Sequence, residues 1–582
     1  MTERKKRWLK ITGIVVVVIL ILSFTFNEIV SSIITNKVKE YLADHKPLKG
    51  YDIKFDRVGF NLLNSSVKLI GLEIIPDSAF IDSLVKSGYK NSYFSVSVKK
   101  FAVLGIEFKK LIKEKEVDIR KIRIKKPYVK IFNIKGKQKP VSVKQKKNEK
   151  IFSAIEDSVR IKGLNDLKIG MVEIRDGKFD IIQHKTGKLV ITNGGIEILL
   201  EKLALTKSKH NNGYMYPSIK NASLLIENNK IKLDNNLYKV GFDKLTINFM
   251  DREIEVDNFI FKPLYSRRKF SKHIKRQQDM FDVKVSKINI SEIDFKKLLI
   301  FNVLHIGKVD VSKASIKLFR DKKVPFDHSK RPLLPHQALK KMAFKMKIDS
   351  VRMTRSYFEY EQTAKKTKKP IHIHLSNIDA LVTNINTVKT ELNSKSKMIV
   401  EARALLMGKA SVSVTIDFPL TAENDVFYFS AEVNKPFNLK ILNEAVYPAA
   451  GMKFESGVLD KLTLHATGYP TFAHGRFKML YHDLQMAAID RDGVSTKKTL
   501  TWGVNKFVAS SNPKKGKEPR QTVMFFERDM EKGFGNFFWK TIYSGLKGTI
   551  IPMFQKQTER RFRNFVKSQQ EKDSSAPSKA GK

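Results

Sequence analysis

The chain has 582 residues, a formal net charge of +50 and no cysteine. The lack of cysteine excludes a disulfide framework, a thiolate nucleophile, a zinc site built on cysteine and a lipid anchor attached to cysteine. The hydrophobic content of 42% is ordinary for a folded protein. The length allows several domains or one extended repetitive domain.

The N-terminus combines a basic cap, residues 2–10, with an apolar stretch from Ile11 to Phe26. A helix over Trp8 to Phe26 would be about 28 Å long, close to the ~30 Å hydrocarbon core of a bilayer. Basic residues before such a helix favour a cytoplasmic N-terminus, and the stretch offers a poor cleavage site. We therefore expect residues 1–27 to be a cytoplasmic cap and an uncleaved transmembrane anchor.

The high positive charge has two explanations once the anchor is considered. In a soluble chain it would favour nucleic acid as the partner, but an anchored chain meets mainly lipid head groups. Lysine on strand faces also keeps exposed sheet edges from pairing with other chains. We expect phospholipids and membrane as partners, and no nucleic acid.

After the anchor, hydrophobic residues recur every second position, as on strands with one apolar face. The pattern over Ala410 to Phe418 alternates apolar residues with serine, threonine and aspartate. Such half-polar strands are typical of antiparallel sheets. The apolar positions of three such stretches are Val117, Ile119, Ile371, Ile373, Val412, Val414, Ile416 and Phe418.

A looser repeat joins many strands in pairs through a short break. The breaks are Arg175-Asp176-Gly177, Ser312-Lys313-Ala314 and Thr354-Arg355-Ser356, each between two alternating segments. We interpret the unit as strand, kink, strand in an antiparallel sheet. Because the spacing between copies is irregular, a strict solenoid is excluded and an elongated meander or packed sandwiches remain.

The C-terminal part, residues 511–566, contains many aromatic residues with lysines beside them. This pattern favours an amphipathic helix lying at a membrane interface, with Phe537, Trp539 and Phe554 at head-group depth. The alternative is a helix that caps the end of the sheet. The polar residues 567–582 are predicted to be a disordered tail.

The sequence offers little chemistry. It lacks a phosphate-binding glycine loop, a His-Glu-x-x-His motif and a nucleophile elbow. His372 and His374 share one strand face but have no visible third metal ligand, and Glu359 with Glu361 is better explained as exposed strand carboxylates. We expect no catalytic residues, no metal site, no cofactor and no enzymatic activity.

Several segments resemble the AsmA-like envelope proteins of Gram-negative bacteria. They are Tyr51 to Phe55, Leu69 to Ile74, Asp321 to Phe326, Met346 to Val351, Phe358 to Glu361, Glu455 to Leu462, Gly475 to Met479 and Tyr481 to Leu484. The resemblance implies a mainly β protein: one N-terminal transmembrane helix followed by an elongated antiparallel β-groove with an apolar lining and a few helices. It also implies a design related to bridge-like lipid transfer proteins.

On this resemblance, residues 28–320 form a first β-groove region, 321–343 a proline-punctuated crossing, and 344–510 a second β-groove region. The groove would be lined by the eight alternating apolar residues named above. The expected function is to shield or conduct phospholipid acyl chains from an inner-membrane anchor, with the bulk of the chain in the periplasm. The alternative is a structural or tethering scaffold without lipid transport, and an enzyme is a distant third.

Overall fold

The computed structural model describes residues 27–42, 48, 50–61, 63–88, 91–114, 116–134, 166–207, 215–218, 220–233, 237–363, 369–489, 501 and 505–575. The predicted cap and anchor, apart from Asn27, lie outside the described residues. Within the described residues, no helix is long and apolar enough to cross a membrane. Contacts divide the chain into two units, Met1–Asp257 and Asn258–Lys582. This boundary differs from the expected one at 321–343.

The first unit is built from ten described strands. They are β1 (Tyr51–Lys54), β2 (Arg57–Asn61), β3 (Ser66–Pro76), β4 (Asn91–Ile106), β5 (Glu116–Ile134), β6 (Asp166–Gln183), β7 (Leu189–Lys207), β8 (Met215–Ser218), β9 (Asn221–Lys232) and β10 (Tyr238–Asn248). Strand β3 pairs with β1, β2 and β4. The ladder continues through β5, β6 and β7 to β9 and β10.

Strand β11 (Glu253–Pro263) crosses the boundary between the units, and eleven described strands follow it. They are β12 (Asp279–Ile293), β13 (Val303–Arg320), β14 (Lys345–Gln362), β15 (Ile371–Asn386), β16 (Lys397–Leu406), β17 (Ala410–Pro419), β18 (Phe427–Val433), β19 (Phe437–Asn438), β20 (Met452–Gly468), β21 (Phe472–Ala488) and β22 (Gln521–Glu527). Consecutive strands pair from β12 to β18, and β20 then joins β18 to β21 and β22.

Nine helices are described with their bounds. They are α1 (27–42), α2 (Ser78–Lys86), α3 (Phe108–Lys113), α4 (Arg267–His273), α5 (Phe295–Phe301), α6 (Pro335–Lys341), α7 (Asn443–Ala450), α8 (Phe534–Ile550) and α9 (Pro552–Ser575). The first of them supports the sheet edge. The hydroxyls of Ser31 and Thr35 on α1 accept hydrogen bonds from the backbone N–H groups of Phe60 and Val58 on β2, at 2.8 and 2.9 Å.

The fold is mainly β, as predicted, but the sheet is mixed rather than purely antiparallel. Strands β5 and β6 are parallel, and so are β13 and β14. Parallel neighbours cannot be joined by a hairpin and need a longer crossover. The proline-punctuated segment after Arg320 is that crossover in the second unit, because it leads from β13 to the parallel β14 and carries α6.

The predicted kinks are present in the strands. Asp176, Lys313 and Arg355, the central residues of the three breaks, have φ angles of 54°, 53° and 49°. The left-handed region is unusual for a residue with a side chain, and in a strand it marks an inserted, bulged position. The kinks of β13 and β14 lie side by side. The pairs Ser312↔Thr354 and Ser315↔Tyr357 enclose Lys313 on one strand and Arg355 on the other.

Each kink keeps one face of its strand apolar. In β13 the apolar positions Val309 and Val311 are odd-numbered before the kink, and Ile316 and Leu318 are even-numbered after it. One inserted residue moves every following side chain to the other face. The odd-numbered residues before the kink and the even-numbered residues after it therefore lie on the same face. The sequence pattern and the backbone therefore agree from Val309 to Leu318.

The C-terminal part differs from the prediction in two respects. Residues 511–566 contain strand β22 as well as α8, so they are not purely helical. Residues 567–575, predicted to be disordered, form the last turns of α9, whose earlier residues Phe562 and Phe565 pack against Phe525. This contact holds the preceding part of α9 to the sheet.

The second unit has a large set of buried apolar side chains, called here the buried cluster. Its members are Leu334, Met398, Ile416, Phe418, Leu420, Phe427, Phe429, Val433, Leu439, Phe454, Leu459, Leu464, Ala466, Ala473, Phe477, Met479, Tyr481, Leu484, Met486, Val508, Met524, Phe537 and Ile550. Strands β16 to β22 and the helix α8 supply most of these residues, and Leu334 lies just before α6. The helix α8 lies so close to the sheet at Gly545 that a Cβ at this position would come within 2.8 Å of Phe477.

Candidate lipid-binding face and C-terminal helices

Apolar side chains line up across the strands of the first unit. One row, set by the pairing register, consists of Leu69, Phe101, Ile124, Ile174, Ile198, Leu224 and Ile247. All seven are half-buried. The predicted groove residue Ile119 lies in a second row, between Ile106 on β4 and Ile169 on β6. The predicted groove residue Val117 pairs with Leu167 on β6. These rows form an apolar face that runs across neighbouring strands.

Similar rows cross strands β12 to β15 of the second unit. The first row is Val283, Ile316, Phe358 and Leu375, and the second is Phe281, Leu318, Tyr360 and Ile373. Seven of these eight side chains are half-buried, Phe281 is 38% exposed, and none belongs to the buried cluster. A polar row follows, in which the guanidinium of Arg320 donates to both carboxylate oxygens of Asp279 at 2.6 Å.

The predicted groove residues Ile371 and Ile373 lie at the end of β15 that carries these rows. Both are half-buried and outside the buried cluster, and Ile371 pairs with Gln362 in the polar row. Their position matches an apolar surface bounded by a polar edge. We call the rows over β12 to β15 the uncovered face, since their side chains keep part of their surface in solvent.

The other four predicted groove residues lie elsewhere. Ile416 and Phe418 are 9% and 2% exposed and belong to the buried cluster, and Val412 and Val414 pack against it. The ring of Phe418 contacts Phe534 of α8 at a centroid distance of 5.9 Å. Of the eight predicted residues, Val117, Ile371 and Ile373 are therefore half-buried, Ile119 is buried in the first unit at 9% exposed, and the other four belong to the closed core or pack against it.

The three aromatic residues predicted at the membrane interface also differ from one another. Phe537 is 1% exposed and part of the buried cluster, so the prediction that it lies at head-group depth is wrong. Trp539 is 49% exposed on the outer face of α8. Phe554 is half-buried at the start of α9, where the ammonium group of Lys547 lies 3.3 Å from its ring centroid. Helix α8 thus caps the sheet with one face and exposes aromatic and basic residues on the other.

The polar face of β13 to β15 holds ionisable residues in hydrogen-bonded pairs. Tyr357 donates its hydroxyl to Glu359 at 2.8 Å, and the ammonium group of Lys317 lies 3.2 Å from the same carboxylate. Burial alone would raise the pKa of Glu359, but these two hydrogen bonds outweigh it and hold the pKa below its ordinary value. Burial, followed by the hydrogen bond to Glu359, raises the pKa of Tyr357 to about 12.

The residues that were considered for chemistry lie close together, but Glu359, Glu361 and His372 each pair with a different group. Glu361 pairs with Arg267 at 2.7 Å rather than with Glu359. The ring centroids of His372 and His374 are 5.4 Å apart, and Nδ1 of His372 lies 2.6 Å from the carboxylate of Glu444 on α7. Within the described part of the chain, no group of three or more histidine or acidic residues could hold a metal ion.

Comparison with protein-family models and with curated proteins finds no match for this chain. The resemblance to AsmA-like proteins therefore stays a prediction from the sequence motifs.

Sequence reasoning missed most residues of the uncovered face. Ile316, Leu318 and Phe358 follow the breaks at Lys313 and Arg355, and the sequence analysis did not place them on an apolar face. The signal was present, because the apolar phase changes by one residue on passing Lys313 and Arg355. Following the apolar positions through each kink would have placed all of these residues on the same side of the sheet.

Proposed function

We propose that the chain is an inner-membrane-anchored envelope protein that shields or conducts phospholipid acyl chains along its apolar face. In this role it contributes to outer-membrane biogenesis or lipid homeostasis. The observation that supports the proposal best is the uncovered face, where apolar rows cross four adjacent strands without joining the buried cluster. The anchor rests on the basic cap and the apolar stretch of residues 1–27.

The physical basis is the removal of apolar surface from water. Burial contributes roughly 25 cal/mol per Å², so a row of valine, isoleucine and phenylalanine side chains offers an acyl chain an environment similar to that of the bilayer. Successive rows are alike, so a chain meets no deep minimum as it moves from one row to the next. The polar row at Asp279 and Arg320 leaves a place for hydrated head groups at the edge.

Photocrosslinking tests this proposal directly. A photoreactive benzoylphenylalanine in place of Phe358 is expected to form lipid adducts in cells, because this ring lies on the uncovered face. The same replacement of Tyr357, the preceding residue on the opposite face, is the matched control and is expected to give none. A third variant at Phe429, 3% exposed in the buried cluster, is also expected to give none.

The alternative is a structural or tethering scaffold, and the buried cluster favours it for strands β16 to β22. There the apolar face is filled by the protein's own helices. If the probe at Phe358 gives no lipid adduct while the variant folds and is stably expressed, the scaffold function replaces lipid transfer.

The predicted localisation has a separate test. A reporter enzyme that is active only in the periplasm, fused after Lys582, is expected to be active. A fusion that is active only in the cytoplasm would contradict both the single-pass topology and the envelope function.

A further inference from the structure

A cavity of 580 Å³ opens on the polar face of strands β17 to β22, on the side of the sheet away from the buried cluster. Its wall includes Asp417, Tyr428, His465 and Arg476 from four strands, and Phe562 from α9. The volume is within the range of small-molecule sites. The cavity shares no residue with the uncovered face, and its ligand is inferred independently of the function proposed above.

The strand register brings the polar groups of this cavity together. His465 on β20 lies directly opposite Arg476 on β21, and on its other side it lies opposite Ser430 on β18. Directly opposite side chains in an antiparallel pair have Cβ atoms about 5 Å apart. Tyr428 is two residues before Ser430 on the same strand, and therefore on the same face.

Three of the polar groups in the cavity have no hydrogen-bond or ion-pair partner among the described residues. They are the guanidinium of Arg476, the imidazole of His465 and the hydroxyl of Tyr428. The side chain of Tyr428 is 49% exposed. In contrast, the nearby carboxylate of Asp417 is neutralised by Lys397 at 2.8 Å. The unpaired positive charge of the cavity therefore belongs to Arg476, which presents a planar fork suited to a phosphate or carboxylate.

The remaining wall suits the body of a ligand rather than an isolated ion. The hydroxyls of Thr415, Ser430 and Thr467 line the cavity and can bond to ligand hydroxyl groups. At the α9 end, the ring of Phe562 stacks on His474 at a centroid distance of 5.1 Å. Burial lowers the pKa of His474, so this end of the cavity is an uncharged, flat surface at neutral pH.

We propose that this cavity binds an anionic polyol, a hydroxylated ring that carries a phosphate or carboxylate group. Arg476 holds the acid group with His465 beside it. The hydroxyls of the wall and the carboxylate of Asp417 bond to the hydroxyl groups of the ring. Tyr428 and Phe562 pack against its apolar C–H faces.

Calorimetric titration of the purified full-length chain tests the proposal with inositol 1-phosphate as the probe. We expect saturable binding at least tenfold tighter than that of myo-inositol, which lacks the charge, and of inorganic phosphate, which lacks the ring. Absence of saturable binding at millimolar concentrations overturns the proposal. Equal affinity for inorganic phosphate overturns it too, because an anion site alone explains that result.

Three variants locate the site. Arg476→Gln is expected to weaken inositol 1-phosphate binding at least tenfold, because a charge-assisted hydrogen-bond pair is lost. Tyr428→Ala is expected to weaken inositol 1-phosphate but leave inorganic phosphate unchanged. Lys478→Gln, which removes a charge on the same face of the same strand outside the cavity, is expected to change neither. Unchanged affinity in Arg476→Gln overturns the proposal, and equal melting temperatures show that each variant is folded.

The same ligand chemistry has two sources, a soluble polyol phosphate or a lipid head group. Vesicles of phosphatidylcholine with phosphatidylinositol, compared with phosphatidylcholine alone, distinguish them. If the phosphatidylinositol vesicles displace inositol 1-phosphate from the wild-type chain, the site takes head groups. If they do not, it takes the soluble ligand. This holds whether or not the uncovered face binds acyl chains, since the Phe358 crosslink reports on that face alone.

Discussion

One apolar row runs across strands β12 to β15 and strands β16 to β22 of the second unit, but its side chains are buried to different extents in the two regions. The row follows the pairing register through Ile290, Val309, Val351, Val382, Val400, Ile416, Phe429, Ala466, Gly475 and Met524. Its first three side chains are half-buried, whereas Ile416, Phe429 and Met524 are 9%, 3% and 0% exposed. Val382 and Val400, between these two groups, are half-buried and pack against the buried cluster, so the same row passes from a half-exposed face into a core over β15 and β16.

The difference comes from helices that lie outside the strands. Leu334, just before α6, and Phe537 on α8 are 0% and 1% exposed, and both insert into the buried cluster. The side chain of Arg528, just before α8, donates to the backbone carbonyl groups of Pro470 and Pro332, which ties this end of the molecule together. A closed core therefore depends on segments that follow or interrupt the ladder, rather than on the strands themselves.

The largest expected effect comes from replacing one apolar residue of the shared row by glutamate in each of the two regions. Ile416→Glu should reduce the free energy of unfolding by roughly 5 kcal/mol or more, because it removes core packing and buries an unpaired charge. Val309→Glu in the same row should cost less than about 1 kcal/mol, because its carboxylate can reach water. Chemical denaturation and limited proteolysis of both variants measure the difference.

The comparison fails if Val309→Glu is as destabilising as Ile416→Glu. That result would mean that the face over β12 to β15 is closed in solution. Val309→Leu, which changes shape without adding charge, is the control for packing at this position.

The second prediction compares two faces of α8. Phe537→Ala should cost about 3 to 4 kcal/mol of stability, because it leaves a cavity in the buried cluster. Trp539→Ala should change stability by no more than about 0.5 kcal/mol, since the ring is half-exposed. Thermal denaturation measures both values.

Trp539 also allows a test of membrane contact by the outer face of α8. If this face meets a bilayer, Trp539→Ala should reduce the co-sedimentation of residues 28–582 with anionic vesicles. Adding Lys540→Gln to this variant should reduce the co-sedimentation further at low salt. Unchanged vesicle binding in both variants would leave α8 with the capping role alone.

The sequence was sufficient for the strands and their kinks but not for what covers them. The period of two and the breaks at Asp176, Lys313 and Arg355 are local signals, and the structure has both. The parallel pairings depend on contacts between distant segments, which a local pattern cannot specify. The closed core was missed for the same reason, because Val414 and Ile373 have the same alternating context and only Val414 packs against the buried cluster.

The aromatic residues of α8 show the same limit on a smaller scale. A helix with phenylalanine and tryptophan beside lysine is compatible with a bilayer or with a sheet as its partner. The presence of β22 before it, which the sequence analysis did not recognise, decides for the sheet in the case of Phe537. Trp539, two residues later, lies on the exposed face of the helix. The sequence analysis predicted the same environment for Phe537 and Trp539, but one is buried and the other is exposed.

The smallest expected effect concerns how contacts on the polar face stabilise the region with the uncovered face. Glu359 on its polar face is 9% exposed, and its pKa is held below the ordinary value by Tyr357 and Lys317 despite the opposing effect of burial. A carboxylate with a lowered folded-state pKa contributes stability above its unfolded pKa, near 4.5, and this stability is lost as the pH falls through the folded value. Glu359→Gln should therefore lower stability by about 1 kcal/mol at pH 7 and make the acid dependence below pH ~4.5 shallower.

The control for Glu359→Gln is Glu401→Gln, an exposed carboxylate on β16 in the region with the closed core. This change should leave the stability at pH 7 almost unchanged. Denaturant titrations between pH 3 and pH 7, a range that spans the ordinary glutamate pKa, give the two curves. If Glu359→Gln and Glu401→Gln have the same curve, the polar face does not stabilise the β13 to β15 ladder. The half-buried apolar rows would then need a ligand or a partner in contact with them to account for the stability of this region.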